Sequence, residues 1–258
     1  MDQNQTSENQ ADVSNKDVIS TLKKKNWSSY IKEFFMLFLA VFCGFLAENY
    51  RESLSVKKIE KEYINSLIED LKTDTTNLQY YSSFRLNKSV LMDSLSVLLL
   101  SEDRKQYGNQ IYFFARQVFD GTPFVYSDGT ILQLKNAGNL RLISNRKVVN
   151  ELLKYEKKVR ELEEWDETDM ETRITFRELG GTVFETMAMK NTMDSKMKFV
   201  MPTDNPQLIT DDKQVINQMA FQVHYLSKMT LGNSLRSQAL KSNASSLLKL
   251  IQTEYGLN

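Results

Sequence analysis

The sequence predicts an all-α protein, in which a single N-terminal transmembrane helix continues into a stalk and a helical bundle with coiled-coil-like long helices. Three observations predict it. Helix breakers are scarce: 3 prolines and 9 glycines in 258 residues, with no proline before Pro123. An uninterrupted apolar run covers residues 34–47. Elsewhere apolar side chains recur three and four residues apart, the repeat of one helix face.

Residues 1–27 read as a disordered polar tail, since ten of the first twenty are Ser, Thr, Asn or Gln and cannot bury enough surface to offset ordering. Residues 28–50 read as the anchor. The 14 apolar residues alone reach roughly 21 Å as a helix, short of a bilayer core of about 30 Å. Tyr30 to Tyr50 reaches roughly 31 Å, and its charges, Lys32, Glu33 and Glu48, lie near the ends where they reach headgroups. Trp27, Tyr30 and Tyr50 suit the two interfaces. Phenylalanines all round a helix with no polar face imply lipid as the surroundings. Cleavage fits poorly: Ala47 at position −1 puts Phe45 at −3, and a lipoprotein site at Cys43 puts Phe42 where a small residue belongs. The lysine block Lys23, Lys24 and Lys25 favours a cytoplasmic N-terminus and a periplasmic remainder, although Arg51, Lys57, Lys58 and Lys61 follow the span.

Residues 51–258 form the stalk and bundle. Ile59, Tyr63, Ile64, Leu67, Ile68 and Leu71 make the stalk's apolar stripe, with Glu60, Lys61, Glu62 and Glu69 on other faces. The stalk is expected to end near residues 73–77, followed by a second helix over 78–100 and a third around Ile111 to Val118. Gly121, Pro123, Asp128 and Gly129 mark a loop. Ser144 and Asn145 are N-cap residues for a long helix reaching about Met189. Its seam, Val148, Leu152, Tyr155, Val159 and Leu162, then meets Asp166 and Asp169, where it either shifts phase or stops. Gly180 and Gly181 suit a kink, residues 190–210 a loop, and Asp211 with Gln214 the capping box of the last helices.

Composition excludes several function classes. With 33 basic and 33 acidic residues, there is no cationic surplus for nucleic acid. One cysteine and one histidine exclude an intramolecular disulfide, a thiolate-built metal site and a di-iron bundle. His224 has no G-x-S-x-G nucleophile to serve, Cys43 sits inside the span, and no phosphate-cradling glycine motif occurs. Seven carboxylates between Glu161 and Glu171, Glu164 and Asp166 among them, radiate around a helix, as a solvated face or a docking strip does and a metal site does not.

Two stretches carry a family resemblance. Residues 38–52 (FLAVFCGFLAENYRE) with 60–71 (EKEYINSLIEDL), and residues 134–143 (LKNAGNLRLI), resemble an uncharacterised family of single-pass membrane proteins common in Bacteroidota-type bacteria. The resemblance covers roughly residues 30–160. It implies an inner-membrane anchor and a helical soluble part, and it carries no activity. In physical terms Gly138 suits the left-handed position that stops a helix, with Leu140, Leu142 and Ile143 packing the turn.

The expectation is a non-enzymatic membrane protein without cofactor or metal that mediates protein–protein contact or assembly at the inner membrane. Its partners are membrane lipid and a second copy or another membrane protein. Candidate partner contacts are Ile59, Tyr63, Leu67, Leu71, Glu164 and Asp166. The stalk stripe either pairs with another copy or folds back on residues 148–162 of its own chain. The alternative is a ligand-sensing helical ectodomain working with a separate signalling partner.

Overall fold

The computed structural model describes residues 27–257; the tail before Trp27, with Lys23, Lys24 and Lys25, lies outside them. Among the described residues the chain is all-α, with six α-helices: α1 (Trp27–Leu100), α2 (Gly108–Val118), α3 (Gly129–Asn136), α4 (Arg146–Gly180), α5 (Thr186–Lys190) and α6 (Lys213–Tyr255). The chain divides into two units, Met1–Lys58 and Ile59–Asn258.

In the first unit the apolar residues of α1 are uncovered. Its most apolar 18-residue window has a mean hydropathy of 1.8 and is 0% buried, so α1 is long and apolar enough to cross a membrane. Phe34, Phe38 and Phe42, four residues apart, stack ring on ring at 6.3 and 5.9 Å. Just past the apolar run, Arg51 Nε donates to Glu48 Oε2 at 3.0 Å.

The second unit is a bundle of four legs. Tyr155 meets Asp74, Asp169 meets Arg85 and Ser144 meets Glu60, so α4 runs parallel to α1. Three serines spaced by heptads set α6 antiparallel to α1. Ser234 Oγ donates to Ser82 O at 2.8 Å, Ser227 Oγ to Ser89 O at 3.0 Å, and Ser96 Oγ to Ala220 O at 3.3 Å. Small hydroxylated side chains let the two backbones approach while satisfying their own donors. The remaining leg is broken. It returns along α1 as α2, an extended stretch over residues 119–128, and α3, fixed by Asn77 to Val125 O, Ser127 N to Asp74 and Thr130 N to Asp70.

The buried faces obey one rule. On α1 they fall at Glu60, Ile64, Leu67, Leu71, Asp74 and Leu78, and then at Tyr81, Arg85, Lys88, Met92, Leu95 and Leu99, alternating four and three residues apart. On α4 the alternation runs from Val148 to Leu162, through half-buried Asp166, and on to Asp169, Arg173, Phe176 and Gly180. The seam therefore neither shifts nor stops at the aspartates. On α6 it runs from Met219 to Ile251. Two apolar cores result. One gathers Leu67, Leu71, Leu134, Leu152 and Leu247, the other Met92, Leu99, Tyr112, Phe176 and Val223. Glu60, expected on an outer face, is buried and accepts from Ser144 N, Ser144 Oγ and Tyr255 OH, each at 2.7 Å.

Several boundaries differ from the sequence expectation. α1 does not end at residues 73–77, because Thr73, Thr75 and Thr76 each donate to the carbonyl four residues back instead of capping a terminus. α4 ends at Gly180 instead of near Met189. The last leg is one helix, and Asp212 caps it by accepting from Gln214 N and Val215 N. Asp211 is taken by Arg104 at 2.7 Å and Lys105 at 3.0 Å. Gly138 does adopt the left-handed position after α3, with φ 65°. The α4 cap is also as expected: Asn145 accepts from Lys147 N at 3.0 Å and Val148 N at 3.3 Å. Its amide also donates to Glu254 at 2.8 Å, so Asn145→Ala is expected to lower the urea midpoint by the equivalent of about 1–2 kcal/mol.

Candidate functional site

Three features stand out from an ordinary helical core: a charged layer between the two apolar cores, an uncovered apolar face on α1, and a cavity beside the end of α4.

The charged layer occupies seam positions on α1 and α4, at one level. Arg85 Nη1 donates to Asp169 Oδ2 at 2.7 Å and Nη2 to Asp166 Oδ1 at 2.9 Å, and its guanidinium lies 4.9 Å from the centre of the Tyr81 ring. Arg173 Nε donates to the same Asp169 Oδ2 at 2.8 Å, and Thr230 Oγ1 reaches Asp169 Oδ1 at 3.2 Å. Asp166 also accepts from Tyr81 OH and from Asn233 Nδ2. The broken leg explains why charges are needed here. Where α2 ends, its last carbonyls have no helical partner, and Arg173 Nη1 donates to Val118 O and Lys88 Nζ to Gln117 O. The extended stretch returns Phe124 N to Asp166 Oδ2 at 3.5 Å, and Asp120 pairs with Lys88 at 3.1 Å. Three cations thus meet three carboxylates, and together they fasten residues 117–124 to the bundle.

The two aspartates differ in character. Burial raises the Asp169 carboxyl, but the guanidiniums of Arg173 and Arg85 overcome it and hold it below the usual carboxylate range. Burial raises Asp166 too, and a single guanidinium, Arg85, does not reverse it, so Asp166 stands above that range. Burial pulls the Lys88 ammonium below the usual lysine range against Asp120. It pushes the Tyr81 phenol up, against the pull of Arg85, which keeps Tyr81 a donor.

This arrangement corrects the reading of the acidic stretch as wholly a solvated face or docking strip. Asp166 and Asp169 point into the bundle, and Glu164 stays on the surface. It also relocates the other candidate contacts. Leu67 and Leu71 are buried in the chain's own core with Val148, Leu152, Tyr155, Val159 and Leu162, the fold-back arrangement. Tyr63 is half-buried and accepts from Asn139 at 2.9 Å, while Ile59 is partly exposed. Leu67 and Leu71 of the stripe, and Asp166 on α4, are therefore engaged within the chain itself.

The uncovered face is elsewhere on α1. Leu86, Val90, Asp93, Val97 and Leu100 repeat the four–three spacing on the side away from the core, and the four apolar members are 40%, 60%, 68% and 56% exposed. Asp93 is held by Lys228 at 2.8 Å, with His224 Nδ1 at 4.0 Å. The residues that mark this second seam are visible in the sequence, but the buried seam overlaps it and hides its phase.

The cavity, about 510 Å³, lies where α2, α4 and α5 meet. Among the described residues no group of three or more His, Cys, Asp or Glu could hold a metal. No family model, curated protein or solved structure matches this chain.

Proposed function

We propose that the protein is a membrane-anchored, non-enzymatic helical protein that mediates assembly at the inner membrane, its N-terminus cytoplasmic and its bundle periplasmic. The observation that carries the reading is the uncovered face on α1. Its β-branched Val90 and Val97 alternate with Leu86 and Leu100, the arrangement that favours two parallel strands. A second copy of this chain anchored in the same membrane presents the same face in the same direction. Confinement to the membrane plane raises the effective concentration. Covering what remains exposed of these side chains is worth roughly 1 kcal/mol each. Orientation rests on the lysine block, and anchoring on the apolar window of α1.

The test combines retention with cross-linking. In a Cys43→Ser background, Val97→Cys is expected to stay in carbonate-washed membranes at full length and to form a disulfide dimer on mild oxidation. Thr168→Cys, exposed on α4, should not. Adding Val90→Asp should abolish the dimer at unchanged protein level. Release of the full-length chain by carbonate would overturn the anchor. Equal cross-linking at residues 97 and 168 would overturn the α1 interface.

A further inference from the structure

We propose that the cavity at the end of α4 binds an amphipathic organic carboxylate: a compact apolar body seated on aromatic and thioether groups, with its head held by cations. This goes beyond assembly and does not depend on it. The apolar surface comes from buried Phe184 and half-buried Phe119, Met189 and Met193. Aromatic rings with methionines make an adaptable apolar lining. Around it stand half-buried Arg116 and exposed Arg177 and Lys190, and among the described residues none of the three is in an ion pair.

The charge argument separates this cavity from another of similar size. The groove of about 530 Å³ between α4 and α6 is lined by four lysines, but Lys147, Lys154 and Lys157 are already bound to Glu254, Glu151 and Glu161. At the end of α4 three cations face one lining carboxylate, Asp194, whose Oδ1 is taken by the backbone N–H groups of Lys196 and Lys198. Nearby Glu185 is similarly engaged, capping α5 through Met187 N and Ala188 N. Of the donors of Arg116, one Nη2 meets only a thioether, Met193 Sδ at 3.3 Å, a weak acceptor that a carboxylate would displace. The last carbonyls of α4 offset only a fraction of this surplus, about half a charge. The volume is within the usual range for small-molecule sites, about 300–1,000 Å³.

The probe is 4-phenylbutyrate, water-soluble enough to spare the bilayer, with 4-phenylbutanol and 4-phenylbutylamine as neutral and cationic counterparts of the same body. Titration calorimetry on the full chain in zwitterionic nanodiscs, with empty discs as the blank, is expected to show saturable binding of the acid. Binding of the alcohol and the amine should be at least tenfold weaker. Arg177→Glu with Lys190→Glu, both exposed, should weaken the acid at least tenfold while leaving the melting temperature unchanged. If that double variant melts lower, Arg177→Gln with Lys190→Gln replaces it, with a loss of at least threefold expected. Equal affinity for the three heads, unchanged affinity in the variant that retains its fold, or no saturable binding up to millimolar acid would each overturn the proposal.

Discussion

Asp169→Asn is expected to destabilise the bundle by about 3–5 kcal/mol, and Asp166→Asn by only about 1–2 kcal/mol, although the two carboxylates share Arg85. Asp169 neutralises two buried guanidiniums, those of Arg85 and Arg173, and losing its charge leaves both in a low-dielectric interior, with Asp166 still paired to Arg85 alone. Asn at position 166 keeps an oxygen for Tyr81, Arg85 and Asn233 and loses chiefly the contact to Phe124 N. The pH dependence should separate them as well. With its carboxyl held low, Asp169 contributes stability that is present above the usual carboxylate range and lost as pH falls through its depressed value. With its carboxyl held high, Asp166 contributes stability that is full below the usual range and lost as pH rises through its raised value. Removing Asp166 should therefore steepen the rise of stability with pH across the carboxylate range, and removing Asp169 should flatten it. Urea unfolding of the full chain in nanodiscs, followed by circular dichroism at several pH values, reads both. Equal losses in the two variants at neutral pH would refute the asymmetry.

The same aspartates show how far the fold was legible in the sequence. The period was: Val148, Leu152, Tyr155, Val159 and Leu162 are buried as their spacing requires, and Asn145 and Gly138 sit in the backbone positions their chemistry suits. The phase was legible too, but only to a reading that follows it through polar residues. Asp74, Arg85, Lys88, Asp166, Asp169 and Arg173 fall in step with the leucines and valines around them. A search for apolar side chains breaks the seam at each of them and turns one 74-residue helix into an anchor, a stalk and a second helix. No local pattern pairs residues some 84 positions apart, so the matching of Arg85 with Asp169 was not readable from either segment alone. The serines joining α1 to α6 carry no apolar signal, for a related reason. Ser82, Ser89 and Ser96 are polar by composition but lie at a close helix contact, where small size matters more than hydropathy. The cavity's three cations are far apart in sequence, from Arg116 to Lys190, and only the fold gathers them.

Leu67→Asp is expected to unfold the second unit at neutral pH, while Val90→Asp, on the same helix, changes its stability by no more than about 0.5 kcal/mol. Leu67 is 2% exposed and sits in the core with Leu71, Leu152 and Leu247. Removing a buried leucine costs about 2–5 kcal/mol before any charge is considered. A carboxylate left in its place has no cation among those neighbours, which adds several kcal/mol more. A domain of this size has about 5–15 kcal/mol of total stability, so the sum reaches the threshold for unfolding. The loss should be partly reversible with acid. Burial would raise the carboxyl at position 67 far above the usual range, and its protonated form is the one the core tolerates, so stability should return as pH falls through that raised value. Leu67→Met, which conserves volume, should cost less than about 1.5 kcal/mol and controls for the site itself. Melting of the bundle and the cross-linked dimer at residue 97 should then separate in Val90→Asp, which keeps the fold. Leu67→Asp removes the melting transition at neutral pH, Val90→Asp abolishes only the dimer, and a Leu67→Asp chain that melts like the wild type would place Leu67 outside the core of its own chain.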